Sequence, residues 1–156
     1  MYSKQHAAIS FVVAGVLAVL LPPVTLLGTP IPTPAVVAYG TAAGVCIDFD
    51  HFLIARLKTG RWDALRFCLT HPRATITDQS EIFDPGDVGV LSRLLSHVVI
   101  TGVVVPALAL ASVSLAVVTG GVLYAHLLAD LVWDRHLLES HADAADSIDE
   151  LVRTIG

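Results

Sequence analysis

His6, Asp48, Asp50, His51, His97, His126, Asp130 and Asp134 are imidazoles and carboxylates set against or inside segments that otherwise carry almost no charge. Ionisable groups in such surroundings are expensive and mark function by default. Within a helix, His126, Asp130 and Asp134 follow one another at i, i+4, and Asp48 and His51 stand at i, i+3, so each set shares a face. Asp50 points elsewhere if its helix persists, and turns inward or orients an imidazole from behind if the helix ends at Asp48.

This is a mixed nitrogen and oxygen donor set. It suits a divalent metal, zinc above all, with manganese or ferrous iron as alternatives, and does not suit calcium or magnesium alone. The expected ligands are His6, Asp48, His51, His97, His126 and Asp130. Their number permits two metals, and two ions about 4 Å apart activate water and clamp phosphoryl or acyl oxygens. Asp50 and Asp134 are the candidates for base or extra ligand. Arg93, one helical turn before His97, is placed to pair with a ligand carboxylate or to neutralise a bound phosphate.

The elements that must position these groups are membrane spans. The chain has 156 residues, one domain by length, with 54% hydrophobic residues, 15% charged residues and a mean hydropathy of +0.73, which sets it apart from soluble proteins. Ala7 to Leu21, with the apolar stretch to Leu27, is long enough to cross a hydrocarbon core of roughly 30 Å. Pro30, Pro32 and Pro34 force a turn, and Ala35 to Ile47 forms a short second span that ends at Asp48. Gly40-x-x-x-Gly44 on it permits close helix contact. Val98 to Val118 is a third span, kinked at Pro106. Thr119-Gly120-Gly121 offers a turn before a fourth helix over Val122 to Trp133. The first helix resembles a signal peptide but has no fitting cleavage pattern, so it is expected to stay attached.

The basic residues orient these spans. Lys4, six residues between His51 and His97 (Arg56, Lys58, Arg61, Arg66, Arg73 and Arg93), and Arg135 and Arg153 all fall on one side, which the positive-inside rule makes cytoplasmic. A multi-pass protein of the cell membrane with both termini inside follows. Four separate stretches then deliver their candidate ligands to that one face. Apolar residues from Phe52 to Leu69 alternate with basic ones, the pattern of a cytoplasmic amphipathic helix in the headgroup region broken at Gly60. Thr70 to Val90 reads as irregular, a candidate lid. The expected fold class is therefore all-α: an integral membrane bundle of about four helices with an amphipathic helix and loop between helices two and three.

Other features are exclusions. The C-terminal segment carries Glu139, Asp143, Asp146, Asp149 and Glu150 and the net charge is −5, so nucleic acid binding is not expected. Cys46 and Cys68 are too far apart for a Cys-x-x-Cys site and read as reduced, buried thiols. His71, His136 and His141 read as solvated, although His71 could enter the site from above. Tyr124 and Trp133 read as packing or interfacial aromatics. No serine or cysteine has a nucleophile-elbow context, and no glycine loop for phosphate is present.

These motifs together resemble a family, the LexA-regulated, membrane-bound metal-dependent hydrolases of the inner membrane, which are distantly similar to zinc-dependent phospholipase C and P1-type nucleases. The resemblance covers most of the chain. It is carried by His6 before the first span, by Ile47-Asp48-Phe49-Asp50-His51 where the family has Pro-Asp-x-Asp-His, by Ser96-His97-Val98 where it has Thr-His-Ser, and by His126-x-x-x-Asp130. Ser92-Arg93-Leu94 stands where the family carries His-Arg-Gly, keeping the arginine and lacking a histidine. The resemblance implies a metal-dependent hydrolase acting on a phosphoester or lipid-derived substrate at the membrane. The rival expectation is a non-catalytic membrane protein whose same residues form a structural metal site or polar network. A transporter would need polar groups across the whole bilayer depth, and the outer halves of these spans have almost none.

Overall fold

The computed structural model describes residues 3–73, 81–84 and 86–142. The expected C-terminal acidic segment beyond residue 142 and much of the expected lid, residues 74–80 and 85, lie outside the described residues. Among the described residues, four helical stretches are long and apolar enough to cross a membrane: Ser3–Leu20, Thr33–Thr59, Val90–Ala109 and Val113–Leu137. The fold is an all-α helical bundle.

Helix α1 (Ser3–Leu20) stops before Pro22-Pro23, because proline has no N–H to donate and disfavours helical backbone in the residue before it. The apolar residues beyond it do not extend the span to Leu27. They form a small hairpin, Thr25–Leu26 paired with Thr29–Pro30. Leu27 and Gly28 make its two-residue turn with φ of 51° and 79°, and two consecutive left-handed residues are what such a tight turn requires. Pro32 then caps α2 (Thr33–Cys46).

Helix α2 does not end the second span at Asp48. Ile47–Phe49 tighten into one 3-10 turn and the chain continues as α3 (Asp50–Thr59), so the helical run reaches Thr59. It stops where Gly60 adopts φ 76° and its N–H bonds Arg56 O at 3.0 Å, an αL cap that glycine takes without steric penalty. The break expected at Gly60 is therefore present, followed by α4 (Asp63–Thr70).

The third and fourth spans divide at a different place from the one the glycines suggest. Helix α5 (Val90–Ala109), with Pro106 inside it, ends early; the chain turns at residues 110–112, and α6 (Val113–Ala142) runs unbroken through Thr119, Gly120 and Gly121. At the turn the N–H groups of Ala111 and Ser112 both reach Leu108 O. The glycines serve packing instead. A Cβ on Gly121 would stand 2.6 Å from Leu17 Cδ1, and one on Gly120 3.4 Å from Val105 Cγ1. In membrane helices small residues more often admit a neighbour than break the helix.

By its contacts the chain divides into two compact units, Met1–Asp48 with His97–Asp130, and Phe49–Ser96 with Leu131–Gly156. In the first, buried residues run in i, i+4 rows: His6, Ser10 and Ala14 on α1, Val36, Gly40 and Gly44 on α2, and Val118, Val122, His126 and Asp130 on α6. Gly40 and Gly44 are the contact row that their spacing predicts. A Cβ on Gly40 would lie 2.6 Å from Ala14 Cβ, and one on Gly44 1.9 Å from Ser10 Oγ. Across the same interior Tyr39 Oη and Thr119 Oγ1 share a hydrogen bond of 2.9 Å.

Burial in this unit is inverted relative to a soluble protein. His6, Ser10, His97, Thr119, His126 and Asp130 are inside, while Phe11, Val12, Val16, Val19, Val99 and Val103 face outward. Large apolar side chains on the outside of long helices are at home only in a lipid phase. Cys46 is likewise exposed and Cys68 half-buried, so neither thiol is the buried group expected. Where the surroundings of a span are as apolar as its core, hydrophobicity does not decide which way a thiol faces.

In the second unit, Phe52 packs on Phe83 with ring centroids 5.2 Å apart, and His51 meets Phe83 edge-on at 6.0 Å. The Arg56 guanidinium lies 5.8 Å from the Trp62 ring.

Candidate metal centre

Three of the i, i+4 rows of the first unit terminate in polar residues at one end. On α1 the row begins with His6, on α2 it runs into Asp48, and on α6 it continues through His126 to Asp130. His97 of α5 is the fourth contribution and is fully buried. Helix α1 packs antiparallel to α2 through Ser10–Gly44 and Ala14–Gly40, so the start of one helix meets the end of the other.

The donor atoms converge. His6 Nε2 is 3.2 Å from Asp130 Oδ1 and 4.0 Å from Asp48 Oδ2. His126 Nε2 is 3.3 Å from Asp48 Oδ1 and 3.5 Å from Asp130 Oδ2, and His97 Nε2 is 3.7 Å from Asp48 Oδ1. The His6 and His126 rings stack at 3.8 Å, and His97 meets His126 edge-on at 5.1 Å. One donor atom from each of His6, Asp48, His126 and Asp130 lies within 4.8 Å of the others, and this buried group could hold a metal ion.

Two observations test that fit. Donors bound to one small cation at about 2.0–2.2 Å stand roughly 3–3.6 Å from one another, and three of the five separations fall in that interval. The second is the state of His126. Its Nδ1 is 2.7 Å from the carbonyl oxygen of Gly44. A carbonyl only accepts, so Nδ1 carries a proton and Nε2 faces the two carboxylates. That nitrogen has no hydrogen-bond partner among the described residues. An imidazole anchored through one nitrogen by a backbone carbonyl, with the other directed at a donor cluster, is the arrangement of a metal-bound histidine.

Of the expected ligands, the structure brings His6, Asp48, His97, His126 and Asp130 together. His51 belongs to the second unit, where its Nε2 is 3.6 Å from Asp50 Oδ1. Asp50 is a hydrogen-bond acceptor for Ser96 Oγ, whose one proton has Arg93 O at 2.9 Å as its alternative acceptor. Arg93 pairs with Asp134, both largely buried. The three residues expected to assist catalysis, Asp50, Arg93 and Asp134, are thus held in polar pairs of the second unit. His71 does not approach the buried cluster from above: it is exposed, 2.9 Å from Thr70 Oγ1 and stacked on Phe67.

Sequence reasoning missed the Gly44 carbonyl, because a backbone acceptor leaves no signature in residue type. It also missed Ser10, whose buried hydroxyl sits against Gly44. The glycine spacing of α2 was the available signal for both.

Comparison with known families finds no family model that matches the chain, and neither the curated proteins nor the solved structures give a match.

Proposed function

We propose that this chain is a membrane-embedded, metal-dependent hydrolase acting on a phosphoester or lipid-derived substrate at the cytoplasmic face of the cell membrane, with both termini inside. One observation carries the reading: three imidazoles and two carboxylates from four membrane-length helices converge in a buried cluster, with the His126 ring locked so that Nε2 faces the carboxylates. His6, His97, His126, Asp48 and Asp130 would hold the ion, and nitrogen-rich mixed ligation favours zinc over harder cations. Such an ion supplies an activated water and polarises the phosphoryl or acyl oxygen. Support from sequence is the resemblance of these residues to the motifs of membrane-bound metal-dependent hydrolases, with departures at Ile47, Ser92 and Val98.

The remaining steps belong to side chains of the chain. His6, His97, His126 and Asp130 are almost completely buried, whereas Asp48 keeps 15% of its side chain accessible, so Asp48 is the side from which water and substrate arrive. With one carboxylate oxygen on the ion, the other would take a proton from an attacking water. Arg93, held by Asp134, carries the fixed positive charge nearest in sequence to His97 and would meet an anionic headgroup. An active centre at the end of a bundle, with the chain's basic residues on the same side, favours an amphiphilic substrate whose tails stay in the bilayer.

The near-complete burial of four donors favours a second reading, a structural ion clamping the helices, because structural sites are closed and catalytic sites keep an open position. Elemental analysis of detergent-purified protein, paired with hydrolysis of bis(p-nitrophenyl) phosphate with and without chelator, separates the readings. Stoichiometric metal with chelator-sensitive turnover supports the hydrolase. Metal without turnover of this or lipid substrates supports the clamp, and equal metal content in the parent, His126→Ala and Asp48→Asn would remove the site altogether.

A further inference from the structure

Helices α3 and α4 form a basic hairpin with an exposed apolar face that nothing among the described residues covers. Between residues 51 and 73 the chain carries five basic residues, Arg56, Lys58, Arg61, Arg66 and Arg73, and one carboxylate, Asp63, in a chain whose net charge is −5. Leu53, Leu57, Trp62 and Leu69 are exposed among them, Leu57 at 77% and Leu69 at 74%. Leu53 and Leu57 stand one helical turn apart on α3, with Lys58 beside them. The cap at Gly60 turns the chain so that Trp62 follows directly, its ring near the Arg56 guanidinium. None of the residues of α4 is buried.

We propose that this hairpin lies on the bilayer and binds anionic phospholipid headgroups, its leucines and Trp62 entering the acyl boundary while its arginines and Lys58 meet the phosphates. Length places it there. The membrane-length run from Thr33 to Thr59 has 27 residues, more than the roughly 20 that cross a hydrocarbon core of about 30 Å. Its last turns, which carry Arg56 and Lys58, therefore emerge at the headgroup layer. Exposed leucines interleaved with basic residues at that depth have the composition of an interfacial helix, and the positive charge selects anionic lipid over zwitterionic lipid. A protein partner would need none of this coincidence with the membrane surface.

The test uses the full chain in nanodiscs with brominated acyl chains, one set of phosphatidylcholine alone and one containing phosphatidylglycerol. Trp133→Phe leaves Trp62 as the reporter, since the chain has two tryptophans. Quenching of Trp62 is expected to rise roughly twofold with the anionic lipid and to fall back in 1 M salt, where the Debye length is about 3 Å. The Arg56→Gln/Lys58→Gln/Arg61→Gln/Arg66→Gln variant should stay at the phosphatidylcholine level in both. Strong quenching equal in the two lipids would mean apolar seating without headgroup selection, and weak quenching in both would mean that this face does not meet lipid. Either result overturns the proposal. A measurement on the unaltered chain keeps it testable if the variants misfold: anionic lipid should be retained over zwitterionic lipid through detergent purification, and equal retention counts against it.

Discussion

Gly44 holds His126. The carbonyl oxygen of Gly44 accepts the Nδ1–H of His126 across 2.7 Å, and the same residue lets α1 approach so closely that a Cβ there would be 1.9 Å from Ser10 Oγ and 2.9 Å from Val122 Cγ1. Ser10 Oγ thus fills the space a side chain at Gly44 would need, the close approach that small residues allow between membrane helices. One glycine therefore sets both the helix spacing and the orientation of a candidate ligand.

Gly44→Ala should accordingly be severe for its size. Overpacking of this kind typically costs about 1–3 kcal/mol, and displacement of the carbonyl should lower metal affinity by roughly 10–100-fold, the usual effect of losing a partner behind a ligand. Thermal unfolding in detergent and metal titration read the two effects. Ser10→Gly in the same chain should recover part of the stability by clearing Ser10 Oγ and Cβ.

Metal should stabilise the fold. At about 100 times its dissociation constant, an ion bound only by the folded state adds roughly 2.7 kcal/mol, so chelator should lower the melting temperature of the parent. Asp130→Asn and His126→Ala should lose this response, whereas Arg61→Gln, at an exposed ion pair with Asp63, should keep it. A chelator response that persists in Asp130→Asn would place the ion elsewhere.

Arg93 and Asp134 form a largely buried ion pair. Arg93→Ala leaves the carboxylate unpaired in an apolar setting and should destabilise by roughly 3–5 kcal/mol, with Arg93→Ala/Asp134→Ala recovering much of that loss. Denaturation of the single and double variants measures the coupling. Additive losses would show that the pair contributes little.

The glycines of α6 and of the hairpin cap should respond in opposite ways. Gly120 has helical backbone and ordinary room for a methyl group, 3.4 Å from Val105, so Gly120→Ala should be neutral or stabilising by up to about 1 kcal/mol. Gly60 sits at φ 76°, where Ala is strained, and Gly60→Ala should lower stability by about 1 kcal/mol. Melting temperatures of the two variants suffice.

Much of this was legible in the sequence. His6, Asp48, His97, His126 and Asp130 stood out because charge in an apolar segment has few bland explanations, and basic residues alone brought their four segments to one end. The boundaries were harder. Thr119-Gly120-Gly121 read as a turn because glycine breaks helices in water, while in a membrane bundle it admits Leu17 and Val105. The second span read as ending at Asp48 because a carboxylate normally leaves the bilayer, yet here the helix tightens by one 3-10 turn and continues. Side-chain partners such as Ser96 on Asp50 and Arg93 on Asp134 depend on how separate segments meet, which no local pattern records.

His6 on α1 and Asp130 on α6 are far apart along the sequence, yet the two are 3.2 Å apart. The cluster therefore does not exist before α6 is inserted: it forms only when α6 joins α1 and α2. Closing it requires α1, α2 and α6 to have met, and a chain arrested before α6 would carry His6 and Asp48 with nothing to meet them from that helix.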